Sequence, residues 1–164
     1  MSTGMKKIDP KEIARLREET NAGVMDCKRA LEDAAGEYEK AKGIIKERGL
    51  ASVAKKSDRE AKEGLVASYI HAGGRVGALV EIASETDFVA RSGEFQKLAQ
   101  EVAMQVAAMA PKDVDELLKQ AYIRDASKTM KDLVTTLAAS VGENVSVRRF
   151  QRFALGDAER ESES

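Results

Sequence analysis

The chain has 164 residues, 43% of them hydrophobic, 34% charged and only 4% aromatic, with no tryptophan, one cysteine and one histidine. That length holds one medium domain, or a very small domain beside a modest one. A single cysteine excludes an internal disulfide and a single histidine excludes a His-rich metal site. No apolar run approaches the length of about 18 residues that a membrane span needs. Basic and acidic residues nearly cancel, at 27 against 28. Through Lys62 there are 15 basic and 12 acidic residues, and beyond it 12 and 16, so neither half is charged like a general nucleic-acid binder. The opening MSTGMKKID lacks the apolar core of a secretory signal. The expectation is a soluble cytoplasmic protein without cofactor, metal, membrane or direct nucleic-acid partner, and a binding or regulatory role in preference to metal or redox catalysis.

In chain order, residues 1–49 read as a small three-helix domain. Asp9 is placed to cap a first helix, Pro10 suits its first position, and Glu12 stands in a capping-box position three residues after the cap. Ile13 and Leu16 share a face before Thr20-Asn21-Ala22-Gly23 breaks the run. A second helix from Val24 to Ala34 aligns Cys27, Ala30, Leu31 and Ala34, and a third from Glu37 to Arg48 aligns Tyr38, Ala41, Ile44 and Ile45, with Gly49 as its stop. Residues 50–63 are a charged linker or helix. Residues 64–156 are expected to form an α+β core of antiparallel strands packed with helices, and 157–164 (DAERESES) a polar tail expected to fray.

The core begins with a hairpin. Gly64 to Ile70 is strand-like, Ala72-Gly73-Gly74 is a turn, and Val76, Ala78, Val80 and Ile82 alternate down one face of the next strand. Phe95, Leu98, Ala99, Val102, Val106 and Met109 make a helical stripe over Ser92 to Ala110, ended by Pro111. A short helical piece follows from Val114. Ser127 is expected to cap a further helix carrying Met130, Leu133, Val134, Leu137, Ala138 and Val141, stopped by Gly142. Residues 145–153 are a last strand whose alternation breaks: Val145 and Val147 share a parity with Phe153 but not with Phe150. That pattern predicts a bulge or an exposed aromatic. A sheet of three strands leaves edges that a partner subunit can cover.

Few residues carry chemistry. His71 sits beside a glycine turn without a second ligand, and Cys27 lies on an apolar stripe as a small buried hydrophobe does. Gly73 to Gly77 lacks the Gly-Lys-Ser/Thr end of a phosphate loop. Arg148, Arg149 and Arg152 around Phe150 and Phe153 suggest RNA stacking, but solvated arginines on an edge strand explain them more simply. Two segments stand out. Glu85 to Arg91 carries Phe88 beside Asp87 on a connection, where the ring either staples onto the core or is displayed as a wedge for a partner's apolar pocket. Val24 and Met25 at a helix start, with Lys28 one turn on, read either as a contact patch or as packing within the domain.

Several stretches then speak together: residues 16–31 (LREETNAGVMDCKRAL), 55–61 (KKSDREA), 85–90 (ETDFVA), Ile123-Arg124-Asp125, and 141–150 (VGENVSVRRF). The chain resembles the bacterial translation elongation factor Ts family, in the family's order and over nearly its whole length. The resemblance implies an N-terminal domain like ubiquitin-associated domains and a core of helices on an antiparallel sheet. It implies a guanine-nucleotide exchange factor, without covalent chemistry, whose partner is elongation factor Tu. By the same resemblance Asp87 and Phe88 are the wedge, flanked by Thr86 and Val89, while Val24, Met25 and Lys28 form an N-terminal contact patch that Lys55 extends. It further implies a homodimer paired through the cores, non-covalent because Gln151 stands where some short relatives have a cysteine. The segment from Ala110 to Tyr122 is shorter than in relatives. The competing expectations are a GTPase-binding or ubiquitin-associated-like adaptor that does not promote exchange and, more remotely, an enzyme.

Overall fold

The computed structural model describes residues 7–157. Of the polar tail expected over 157–164, all but Asp157 lies outside them. The chain divides into two compact units between Lys55 and Lys56. The first holds helices α1 (Pro10–Thr20), α2 (Val24–Asp33) and most of α3 (Tyr38–Lys56). Asp9 caps α1, but its carboxylate accepts from the Lys11 amide at 2.9 Å, because the Glu12 amide is already taken by the Asp9 carbonyl at 3.0 Å. Leu16, Cys27, Ala30, Leu31, Ala34 and Ala41 form a fully buried core, with Ile13, Tyr38, Ile44 and Ile45 packed around it. Half of these residues are alanine, so the helices can approach closely and each large side chain counts. Burial pushes the Cys27 thiol above its ordinary pKa.

The third helix is longer than its sequence pattern suggests. Gly49 does not end it, and α3 runs on to Lys56. A glycine inside a helix costs about 1 kcal/mol relative to alanine. The neighbours Arg48, Leu50, Ala51, Ala54 and Lys55 are mostly strong helix formers that offset it. Much of the stretch expected to link two domains is therefore the last part of α3.

The second unit is mixed. Strands β1 (Glu63–Ile70) and β2 (Val76–Ser84) form an antiparallel hairpin, closed where Gly73 and Gly74 adopt φ of 91° and 71°. The one-turn helix α4 (Asp87–Ala90) and the long α5 (Gly93–Met109) follow. Ser92 caps α5 by accepting from the Phe95 amide at 3.3 Å. The α5 stripe of Phe95, Leu98, Ala99, Val102, Ala103 and Val106 is buried, and the helix packs on β1 and β2. After α6 (Val114–Lys119), β3 (Ala121–Tyr122) and β4 (Asp125–Thr129) make a small second hairpin that periodicity did not indicate. Helix α7 (Met130–Val141) is capped by Thr129 in a reciprocal box with Asp132, not by Ser127. Ser127 is instead tied by its amide and hydroxyl to the Asp125 carboxylate, at 3.1 and 2.6 Å. Gly142, at φ 71°, ends α7.

Strand β5 (Ser146–Ala154) pairs antiparallel with β2, giving the sheet order β1-β2-β5. Val147 pairs with Ile82 and Arg149 with Glu81, so Arg148 is an extra residue and the bulge foreshadowed by the broken alternation is real. The inner face carries Ala67, Ala78, Val80, Ile82 and Val147, all buried beneath the helices. On the outer face Val66, Ile70, Leu79 and Phe153 are exposed, Phe153 at 67%. Ile70 leans over Gly77, where any Cβ would meet its Cδ1 at 2.5 Å. Helices thus cover one face of the sheet within this unit.

Candidate functional site

The connection leaving β2 owes its shape to a few local rules. Thr86 is extended, with φ −120° and ψ 150°, and caps α4 by accepting from the Val89 amide at 3.3 Å. The Ser84 hydroxyl, fully buried, donates to the Thr86 carbonyl at 3.0 Å. Successive residues of an α-turn point about 100° apart, so four residues cannot all face one way. Val89 and Ala90 are buried, which turns Asp87 and Phe88 outward.

Phe88 is 87% exposed. The staple alternative for this ring is therefore removed, since it does not pack on its own core. Asp87 is exposed as well, and the Arg91 guanidinium lies 2.8 Å from its carboxylate one turn along. An exposed pair of this kind contributes little to stability. It does occupy the carboxylate at the surface, with an exchangeable cation as its present partner. The turn thus offers a large apolar plane next to an acceptor, the combination that anchors protein interfaces.

The residues expected at the site divide accordingly. Val24, Met25 and Lys28 share one face of the first turns of α2, with Val24 47% and Met25 55% exposed. Lys28 is exposed with Glu32 at 3.9 Å, so the patch has an apolar centre and a cationic border. Lys55 is exposed near the end of α3 in the same unit. In the second unit Asp87 and Phe88 project, while Thr86 is occupied as the cap. Val89, placed with them from the sequence, is a correction: it is only 6% exposed, and its side chain belongs to the interior of the unit.

The arginines of β5 are engaged within the protein. Arg148 donates to the Ala61 carbonyl at 3.1 Å and Arg152 to the Ala107 carbonyl at 3.0 Å, while Arg149 meets the Glu81 carboxylate at 2.5 Å. No group of three or more His, Cys, Asp and Glu residues that could hold a metal ion occurs among the described residues. No helix among them is long and apolar enough to cross a membrane.

Sequence reasoning overlooked two residues that shape this turn, Arg91 and Glu143. Arg91 carried a visible signal, an acid–base pair at helical spacing. Glu143 carried none, because it meets the turn across 57 residues of chain.

Comparison with known proteins places this geometry in a class. Residues 85–161, which begin at the turn and run through β5, match the family model described as Elongation factor TS. Elongation factor Ts of Caldanaerobacter subterraneus subsp. tengcongensis is 40% identical over 195 aligned positions, covering 92% of this chain and 98% of that protein. The same factor from Thermoanaerobacter pseudethanolicus is 42% identical, with 92% and 96% covered, and that from Anaeromyxobacter dehalogenans is 39% identical, with 93% and 90% covered. The chain is a translation elongation factor. It belongs to the elongation factor Ts family. Alignments of 195 positions exceed the 164 residues available here, so these relatives carry additional sequence inside the matched span.

Proposed function

We propose that this protein is a guanine-nucleotide exchange factor that binds GDP-bound elongation factor Tu and promotes GDP release by disturbing the magnesium and phosphate site. The observation that carries the reading is Phe88, 87% exposed on a one-turn helix beside an exposed carboxylate. A displayed aromatic beside an acceptor is the kind of group that anchors a protein interface when a partner pocket receives it. No bond is made or broken in this reading. The factor works by coupling: it holds the nucleotide-free partner more tightly than the nucleotide-bound one, and nucleotide weakens its hold by the same factor. A hundredfold change in nucleotide affinity needs roughly 3 kcal/mol of such coupling. A buried aromatic anchor contributes about 2 kcal/mol or more at an interface. The Val24, Met25 and Lys28 patch supplies a tether that holds the wedge near its target.

The test is release of a fluorescent GDP analogue from elongation factor Tu, followed by stopped flow against increasing concentrations of this protein. The release rate is expected to rise and saturate, with no GTP hydrolysis by the factor alone. Binding without acceleration would establish the adaptor alternative instead.

The core is also expected to pair with a second copy, through the outer sheet face that Val66, Ile70, Leu79 and Phe153 leave apolar and exposed. Both outer strands, β1 and β5, have an unpaired edge in this sheet. Sedimentation velocity over a wide concentration range should show a dimer that survives reducing agent, because Cys27 is buried and position 151 is glutamine. Phe153→Asp should convert it to monomer. A wild-type monomer at high micromolar concentration would remove the pairing.

A further inference from the structure

The turn that presents Phe88 does not hold its setting alone. A four-residue helix is a single turn, and one turn gains too few hydrogen bonds to offset the cost of nucleating it. Part of the support comes from Glu143, which lies between the Gly142 stop of α7 and strand β5. Its Oε1 accepts from the amides of Glu85 and Thr86, at 3.1 and 3.0 Å, and its Oε2 accepts from the Thr86 hydroxyl at 2.7 Å. That hydroxyl in turn accepts from the Val89 amide at 3.3 Å. One carboxylate therefore satisfies two backbone donors leading into α4 and orients the group that satisfies a third.

The clasp is reciprocal. Glu85 Oε1 accepts from the Asn144 amide at 2.7 Å, and the Asn144 side chain donates to the carbonyls of Ser57 and Arg59, at 3.3 and 2.7 Å. Arg59 lies 3.8 Å from the second Glu85 oxygen. Adjacent acids, one on each side of the clasp, each receive backbone N–H groups from the other side. Bonds from N–H and O–H to a carboxylate are among the stronger ones a protein makes.

We propose that Glu143 is a positioning residue for nucleotide exchange: it sets the orientation of α4, and so of Phe88, before the partner arrives. The inference rests on the exchange reading above. A wedge perturbs a distant ion only if docking energy is not dissipated in ordering the wedge itself. Glu143 removes that loss by fixing the two residues that precede Asp87 and Phe88. Its effect on exchange must then pass through the ring.

The experiment compares wild type, Glu143→Ala, Glu143→Gln, Phe88→Ala and the Glu143→Ala/Phe88→Ala double variant, well below their melting temperatures. Maximal stimulated GDP release and half-saturating concentration are read separately, beside backbone amide exchange of Glu85 and Thr86 in the free factor. Glu143→Ala is expected to lower the maximal rate about tenfold, equivalent to about 1.4 kcal/mol, with a smaller change in half-saturation and faster exchange of both amides. Glu143→Gln keeps a carbonyl for the two amides and should recover most of the rate. In the Phe88→Ala background, Glu143→Ala should cost nothing further. If Glu143→Ala melts too low to compare, Thr86→Val, which removes the bridging hydroxyl, takes its place and must likewise slow release only while Phe88 is present.

A wild-type maximal rate in Glu143→Ala, or a full additional loss in the Phe88→Ala background, overturns the positioning role while leaving the exchange activity intact. A wild-type factor that fails to speed GDP release is a different result. It removes the exchange reading first and the role of Glu143 with it.

Discussion

Phe88→Ala is expected to melt within about 2 °C of wild type and to stimulate GDP release about thirtyfold less. The two halves of that result come from the same fact. A side chain 87% exposed leaves no cavity when truncated, so stability changes little. A ring buried only in the complex takes its docking energy with it, and about 2 kcal/mol converts to about thirtyfold. Thermal unfolding and stopped-flow release should be measured on one preparation, so that a loss of folded protein is not mistaken for a loss of coupling. Met25→Ala and Lys28→Ala should cost less, because those residues hold the partner and do not reach its nucleotide site in this reading. Full stability with full exchange would refute the wedge.

Phe95→Ala reverses the balance. Seven residues further along the chain, this ring is fully buried near the start of α5, a helix that packs on β1 and β2. Its removal is expected to cost about 3–5 kcal/mol, the range for phenylalanine truncated in a packed core. One turn along the same helix stands Ala99, a short side chain that cannot reach into the space left behind. Denaturant titration of the full chain should show a lower midpoint with an unchanged slope. A cost below about 1 kcal/mol would mean that the helix slides to fill the gap. The pair of substitutions separates the two uses of one residue type in one protein.

Periodicity made much of this fold legible. Asp9 and Pro10 mark the start of α1, Phe95 to Met109 mark α5, and the alternation from Val76 to Ile82 identifies the inward face of β2. The misses have physical causes. Gly49 reads as a stop, but a glycine ends a helix only where the following residues release it, and strong helix formers follow here. Ser127 reads as a cap, yet it lies in β4 and spends its amide and hydroxyl on Asp125. The β3–β4 hairpin has no apolar alternation, because polar residues of α5 hold it: the Glu101 carboxylate accepts from the Tyr122 hydroxyl at 2.5 Å and pairs with Arg124 at 3.2 Å. Gln105 is fully buried, donates to the Ala121 carbonyl at 3.0 Å and accepts from the Ile123 amide at 3.1 Å. A glutamine that interrupts an apolar stripe announces nothing of this in a sequence.

The site divides in the same way. Asp87 and Phe88 stood out as an aromatic and an acid on a connection, which is a local signal. That Val89 turns inward follows from the twist of a single helical turn, which sequence spacing alone does not resolve. Glu143 is a tertiary contact across 57 residues, and no local pattern encodes it.

The extra residue in β5 bears on how this strand can change over generations. Up to Val147 the inward positions are odd-numbered, and past Arg148 they are even: Phe150, Arg152 and Ala154 are partly buried while Gln151 and Phe153 are exposed. Losing Arg148 would leave both sets in place, because Val147 would still face Ile82 and Arg149 would still face Glu81 in an unbroken ladder. Losing Gln151 would swap every residue past it: Phe153 would turn beneath the helices, and Arg152 would be drawn away from the Ala107 carbonyl it now reaches at 3.0 Å. Selection on this strand therefore acts on a count. The strand carries one spare residue, whose loss costs the bond from Arg148 to the Ala61 carbonyl, whereas a deletion between Phe150 and Phe153 amounts to a frameshift of faces.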